Sequence, residues 1–223
     1  MSAKKILFIG NSYTFYGNLP EMIRQMAEYV GVKLEVSSVT SGGKSLEWHC
    51  YNIETIQALQ REKWDYVALQ EFSTRPLEEP DRMYASAEAL FNKVTSKKAR
   101  AVLYLTWARK FLPETQPDIS RAYLELARRT SALIFPAGPA WQIVMAKNPE
   151  IELYDPDLTH PSVLGTYLTA CVFCSSILGL NPEKVTNKIR LLHGATLVIE
   201  PEVAAILQKS ARKTAREFKE YTK

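Results

Sequence analysis

A serine acts as a nucleophile only where its hydroxyl meets a general base, and the base works only where a third group orients its other ring nitrogen. The two ends of the chain offer such a set. Near the N-terminus an apolar run, residues 4–9 (KKILFI), stops at Gly10-Asn11-Ser12-Tyr13-Thr14. A serine at such a strand-to-helix turn has its hydroxyl at the mouth of a sheet. Its backbone N–H lies at a helix start, where it can help to stabilise an oxyanion. The same position also suits a serine that simply caps the helix. Near the C-terminus, Asp155-Pro156-Asp157-Leu158-Thr159-His160-Pro161 sets a carboxylate and an imidazole three residues apart on one short loop. Asp157 can orient His160, while Pro161 disfavours helical geometry at His160 and opens the following helix. The competing expectation is a turn aspartate beside a capping or surface histidine.

The chain has three histidines, which narrows the choice of base. His49 sits in a helical pattern beside Trp48 and Cys50, and His193 precedes Gly194; neither has a carboxylate at close spacing on a candidate loop. If the chain works by serine attack, His160 is the base. The three cysteines are too sparse for a disulfide framework and fit a reducing compartment. Cys171 and Cys174 form C-x-x-C, but inside the apolar helical stretch 166–180 and not at an exposed helix start, so packing is expected there and neither redox nor metal chemistry.

Five short β-like runs must position these residues: 4–9, 34–39, 66–69, 101–105 and 133–135. Helical patterns alternate with them. One is spaced by Leu19, Ile23, Met26, Ala27 and Val30 and stopped by Gly31; the others cover 46–61, 83–95 and 119–130. Such alternation predicts βαβ units, a parallel sheet covered by helices on both faces, and a flavodoxin-like strand order. Ligands then bind beyond the carboxyl ends of the strands, on the segments 10–16, 38–45, 70–75 and 106–109 and on whatever follows the fifth strand.

The 223 residues, 46% of them hydrophobic and 23% charged, suit one α/β domain over residues 1–223 and exclude disorder or a fibrous repeat. A net charge of +4 is too mild to imply a nucleic-acid partner. No run is long enough to span a membrane and no secretory leader is visible. As written the chain reads as cytoplasmic, although a leader removed beforehand would leave the same sequence. Lys209, Arg212, Lys213, Arg216, Lys219 and Lys223 alternate with Ile206, Leu207, Ala211, Ala215 and Phe218. That pattern predicts a C-terminal amphipathic helix at about 200–222 with a solvated basic face; contact with a phosphate or anionic surface is the alternative.

G-N-S-Y-T near the start and D-x-x-H-P near the end resemble the first and last blocks of the SGNH (GDSL-like) hydrolases, and the blocks between have counterparts in order. The resemblance implies a three-layer α/β/α sandwich around a five-stranded parallel sheet. It also implies a site made of Ser12, Asp157 and His160 with an oxyanion hole from Ser12, a glycine after the second strand and an amide after the third. Ser41-Gly42-Gly43-Lys44-Ser45-Leu46 supplies the glycine, Gly43 by alignment with Gly42 able to substitute; a side chain there would obstruct the approach of the N–H. The G-K-S in this segment is not a P-loop, because the glycine required five residues before Gly43 is Ser38. The third block departs from the family's G-x-N-D. Leu69-Gln70-Glu71 stands there, as in a less typical branch, and Gln70 can still donate an amide N–H.

Asn11, Tyr13, Gly42, Glu71, Trp107 and Arg109 are the candidate substrate contacts. Trp107 and Arg109 follow the fourth strand and either hold an acyl, sugar or anionic group or serve as rim packing and a surface ion pair. Tyr13 and Phe15 are likewise pocket walls or packing. The resemblance implies a serine esterase or O-deacetylase acting on small-molecule or carbohydrate esters, with no metal, organic cofactor or nucleic acid involved. The alternatives are a carbohydrate- or lipid-binding module on the same fold and a phosphate-binding α/β protein.

Overall fold

The computed structural model describes residues 2–95, 97–191 and 194–222. In chain order the elements are β1 Lys4–Gly10, the single turn α1 Ser12–Phe15, α2 Leu19–Tyr29, β2 Leu34–Thr40, α3 Leu46–Tyr51, α4 Ile53–Arg61 and β3 Tyr66–Leu69. They continue with α5 Arg75–Glu78, α6 Pro80–Thr95, β4 Arg100–Leu105, α7 Gln116–Thr130, β5 Leu133–Pro136, α8 Ala137–Lys147 and α9 Val163–Ser176. A hairpin of β6 Lys188–Arg190 and β7 Thr196–Val198 precedes the last long helix, α10 Pro201–Glu217.

The first five strands form one parallel sheet in the order β2-β1-β3-β4-β5. Its strands alternate between two cores, as the two-residue period of a sheet requires. Ile6, Phe8, Tyr66, Ala68, Val102, Tyr104, Leu133 and Phe135 face one layer, built from α2, α8, α9 and α10. Leu7, Ile9, Val67, Leu69, Ala101, Leu103, Leu105 and Ile134 face the other, built from α3, α4, α6 and α7. The chain is therefore a three-layer α/β/α sandwich with its central strands buried on both faces, which is why they read as unbroken apolar runs.

Three elements differ from expectation. The helix expected over 46–61 is two helices broken at Asn52, whose side chain accepts from the Thr55 N–H at 2.9 Å and so restarts the chain as α4. A whole helix, α8, lies between β5 and the Asp157 loop; Pro136, Gly138 and Pro139 at its start read as loop punctuation in the sequence. The helix after His160 is capped by Ser162, which accepts from the Gly165 N–H, and opens at Val163; Pro161 instead bridges back to Tyr154. The C-terminal helix runs to Glu217 and ends in a short turn over Lys219–Tyr221. Ala204, Leu207 and Ala211 are its buried face. On its basic face Arg212 pairs with Glu183 at 2.6 Å, and Lys223 lies outside the described residues. Among the described residues no helix is long and apolar enough to cross a membrane.

Candidate active site

β2 and β3 lie on opposite sides of β1, so the sheet order reverses at β1 and a crevice opens at the carboxyl ends of these strands. The register places Gly10 beside Thr40 and Ile9 beside Leu69. The residues that follow, Asn11, Ser41 and Gln70, are thereby brought to one edge; the Ser41 N–H donates to Gly10 O at 3.1 Å.

Asn11 and not Ser12 caps α1. Its side-chain oxygen accepts from the Tyr13 N–H at 3.1 Å, and its amide nitrogen donates to Lys44 O at 2.9 Å, tying the turn to the glycine loop. Ser12 is left half-buried with its hydroxyl available. Ser12 Oγ lies 2.7 Å from His160 Nε2, although 148 residues separate them. His160 Nδ1 hydrogen-bonds Asp157 Oδ2. The other carboxylate oxygen of Asp157 accepts from the backbone N–H groups of His160 at 2.9 Å and Thr159 at 3.0 Å, so Asp157 both shapes its own turn and orients the ring. Burial opposes ionisation of Asp157, but the His160 ring and these two N–H groups outweigh it. They hold the carboxyl well below the usual carboxylate range.

The loop carrying this pair is tethered from outside. Leu158 adopts a left-handed backbone with φ of 62°, unusual for a leucine, and its carbonyl accepts from the Lys110 N–H at 3.0 Å. The Asp155 N–H donates to His160 O at 2.9 Å and closes the loop. Trp107 Nε1 donates to Thr159 O at 3.0 Å. Tyr16 lies flat on the imidazole, ring centres 4.7 Å apart, while its hydroxyl donates to Asp155 at 2.6 Å. Nothing in the sequence singled out Tyr16; its spacing of four from Ser12 was the available signal.

Beneath the turn, Tyr13, Trp107 and Trp141 form a column with ring centres 4.8 and 3.9 Å apart and planes within 7° of parallel. Trp107 is 1% exposed and Tyr13 4% exposed, so both take the packing alternative and are not walls of an open pocket. Burial pushes the Tyr13 phenol up to about 12. Arg109 is half-buried and donates to Ser73 Oγ at 3.3 Å; among the described residues no carboxylate pairs with it. Glu71 is fully buried, which removes it from the substrate contacts. One of its oxygens accepts from the Leu46 N–H at 3.1 Å and the Phe72 N–H at 2.6 Å, and the other meets no hydrogen-bond partner. Burial raises its pKa against the pull of those N–H groups. Asn11, 3% exposed, is likewise a structural residue.

Gln70 also departs from expectation. Its carbonyl oxygen, not its amino end, faces the Ser12 turn and accepts from the Asn11 N–H at 2.7 Å and the Thr14 hydroxyl at 2.9 Å. The amide nitrogen donates to Glu71 O, and the residue is 1% exposed. An amide fixed by two donors in this sense is a strut under the turn and not an oxyanion donor. Gly10 is required by the same contact, because a Cβ there would meet Gln70 Oε1 at 2.5 Å. Gly42 and Gly43 form an exposed turn closed by the Lys44 N–H on Ser41 O, and the φ of 68° at Gly43 favours glycine. Ser45 of the G-K-S segment caps α3. His49 is buried, with Nε2 on Gly10 O at 2.9 Å and Nδ1 on Thr55 Oγ1 at 2.8 Å, and burial lowers its pKa; it pins the end of β1. His193 lies outside the described residues. Cys171 and Cys174 are fully buried in α9. Among the described residues no three His, Cys, Asp or Glu side chains group as metal ligands.

A serine, histidine and aspartate hydrogen-bonded in series at the carboxyl edge of a parallel sheet, inside an α/β/α sandwich, define a class of hydrolase folds. No family model matches the chain and no curated protein does. Among solved structures it is similar to a candidate SGNH hydrolase from Slackia heliotrinireducens, with 28% identity over 76% of this chain and 96% of that one and a TM-score of 0.65. A DUF4886 family protein from Bacteroides uniformis is similar over 96% of this chain and 95% of its own, with 21% identity and a TM-score of 0.79. Axe2, an acetyl-xylooligosaccharide esterase from Geobacillus, is similar over 78% of this chain and 93% of its own, with 18% identity and a TM-score of 0.58. The last two likenesses concern the fold alone. The likeness to the first of these supports the SGNH/GDSL-like hydrolase superfamily for this chain.

Proposed function

We propose that the protein is a serine esterase that hydrolyses carboxylic esters through an acyl-enzyme on Ser12. The observation that carries this is the 2.7 Å contact of Ser12 Oγ with His160 Nε2, on an imidazole whose other nitrogen is held by Asp157. Nδ1 keeps its proton against the ionised Asp157, so Nε2 is the accepting nitrogen. Ser12 Oγ attacks the ester carbonyl as its proton passes to Nε2. The carbonyl oxygen becomes an oxyanion facing the backbone N–H groups of Ser12 and Gly43. As the C–O bond to the alcohol breaks, the imidazolium returns the proton to the departing oxygen. Water then attacks the acyl-enzyme, gives a proton to Nε2, and the acid leaves while Ser12 Oγ recovers that proton.

Small esters with an exposed carbonyl suit the half-buried position of Ser12. The name of the Axe2 neighbour brings acetylated carbohydrates in as one substrate class to test. The purified chain is expected to hydrolyse p-nitrophenyl acetate, and Ser12→Ala to lower kcat by roughly ten-thousandfold or more with an unchanged circular dichroism spectrum. Equal turnover by Ser12→Ala would end this assignment.

A further inference from the structure

The imidazole of His160 is held from several sides. Asp157 takes Nδ1, and Ser12 Oγ meets Nε2 at 2.7 Å. Tyr13 stands edge-on to the ring with centres 5.6 Å apart, and Tyr16 covers one face at 4.7 Å with planes 27° apart. Tyr16 is itself fixed at both ends. Its backbone N–H donates to Ser12 O at 2.8 Å, and its hydroxyl donates to Asp155 Oδ2 at 2.6 Å. The Asp155 N–H donates in turn to His160 O at 2.9 Å. The hydrogen bond to Asp155 raises the pKa of the Tyr16 phenol, so this hydroxyl keeps its proton through the neutral range. One side chain thereby bridges the turn that carries the nucleophile and the loop that carries the base.

These restraints do not all last through the reaction. Once Ser12 is acylated, Oγ carries the acyl group and has no proton to donate, so Nε2 loses its serine partner. The ring must still present Nε2 to water. Water gives a proton to Nε2 as its oxygen bonds the acyl carbon, and Oγ regains that proton as the C–Oγ bond breaks. At this stage Asp157 alone still hydrogen-bonds the ring strongly, and an imidazole held at one nitrogen can swing about its side-chain torsions. The flat contact of Tyr16 opposes that swing. A displacement of about 1 Å in a catalytic group can cost on the order of a hundredfold in rate.

We infer that Tyr16 is a positioning residue for deacylation: its ring holds His160 in place while Ser12 is acylated, and Asp155 holds the ring. The inference rests on the esterase assignment above. Stopped-flow hydrolysis of p-nitrophenyl acetate separates the two steps. The first release of p-nitrophenol reports acylation, and the steady rate after it reports deacylation. In Tyr16→Leu, which lacks the flat face and the hydroxyl, deacylation is expected to slow by about tenfold and acylation by less than about threefold. The values of kcat and KM then fall together. Tyr16→Phe keeps the ring and loses only its anchor, as does Asp155→Ala, and each is expected to slow deacylation by about twofold to threefold. Equal loss in both steps makes Tyr16 a general support of the site and overturns the inference. Wild-type deacylation in Tyr16→Leu overturns it, and so does a Tyr16→Phe protein as slow as Tyr16→Leu. If circular dichroism shows that Tyr16→Leu does not fold, Tyr16→Phe and Asp155→Ala decide, with unchanged deacylation in both as the contrary result. No turnover by the wild-type chain removes the esterase assignment itself and this one with it.

Discussion

Asn11 and Ser12 divide two tasks that a lone serine at a helix start would have to combine. Asn11 satisfies the free N–H of the turn, which leaves the Ser12 hydroxyl for His160. Asp157 likewise splits its oxygens, one folding the loop through two backbone N–H groups and one holding the imidazole. Asp157→Asn keeps an acceptor for the backbone but lets the wrong tautomer form. A loss of roughly a thousandfold to ten-thousandfold in kcat, with KM little changed, is expected from steady-state kinetics. A change confined to KM would place Asp157 in binding instead. Because its pKa is depressed in the fold, the stabilising part of its interaction is present above the ordinary carboxylate range and is lost only as pH falls through the lower folded value. By type and spacing the sequence offered Ser12, Asp157 and His160 only as candidates beside a helix cap and a surface histidine, and the resemblance ranked them first; their meeting across 148 residues is visible only in the fold. The direction of the Gln70 amide was not legible, because the Asn11 N–H that decides it lies just beyond the end of the neighbouring strand β1, 59 residues away in sequence.

Between β3 and α3 the structure stakes much on one buried carboxylate. Glu71 ties the N-terminus of α3, and with it the glycine turn, to the end of β3, while its second oxygen meets no partner. Its pKa is raised by burial, so the native state holds the proton more tightly than the unfolded chain. Stability is then greatest below the ordinary carboxylate range and falls as pH rises toward the folded value. Glu71→Gln keeps an oxygen for the Leu46 and Phe72 N–H groups and removes the charge. Its melting temperature is expected to exceed that of wild type by an amount that grows between about pH 4 and pH 8. Parallel melting curves across that range would show that Glu71 does not titrate within it. The strands were legible because burial on both faces writes them as apolar runs. The break at Asn52 was not, since an Asn that restarts a helix differs from one inside a helix only through its cap to Thr55.

At the scale of the molecule, the site exists only because β1, lying between β2 and β3, is the strand at the switch point and the loop before α9 brings His160 to its end. The alternation of elements foretold the sheet and its order. The column from Tyr13 through Trp107 to Trp141 and the ring of Tyr16 over His160 were out of reach, since each joins residues with no sequence period in common. A nucleophile made by assembly should be reactive only when the whole chain is folded. The most direct measurement is to label the native protein with a fluorophosphonate and map the adduct by peptide mass spectrometry. The expected result is one adduct, on Ser12, absent from urea-unfolded protein and strongly reduced in His160→Ala. Labelling at another serine, or equal labelling of the His160→Ala protein, would contradict the assignment of Ser12 and His160 as a working pair.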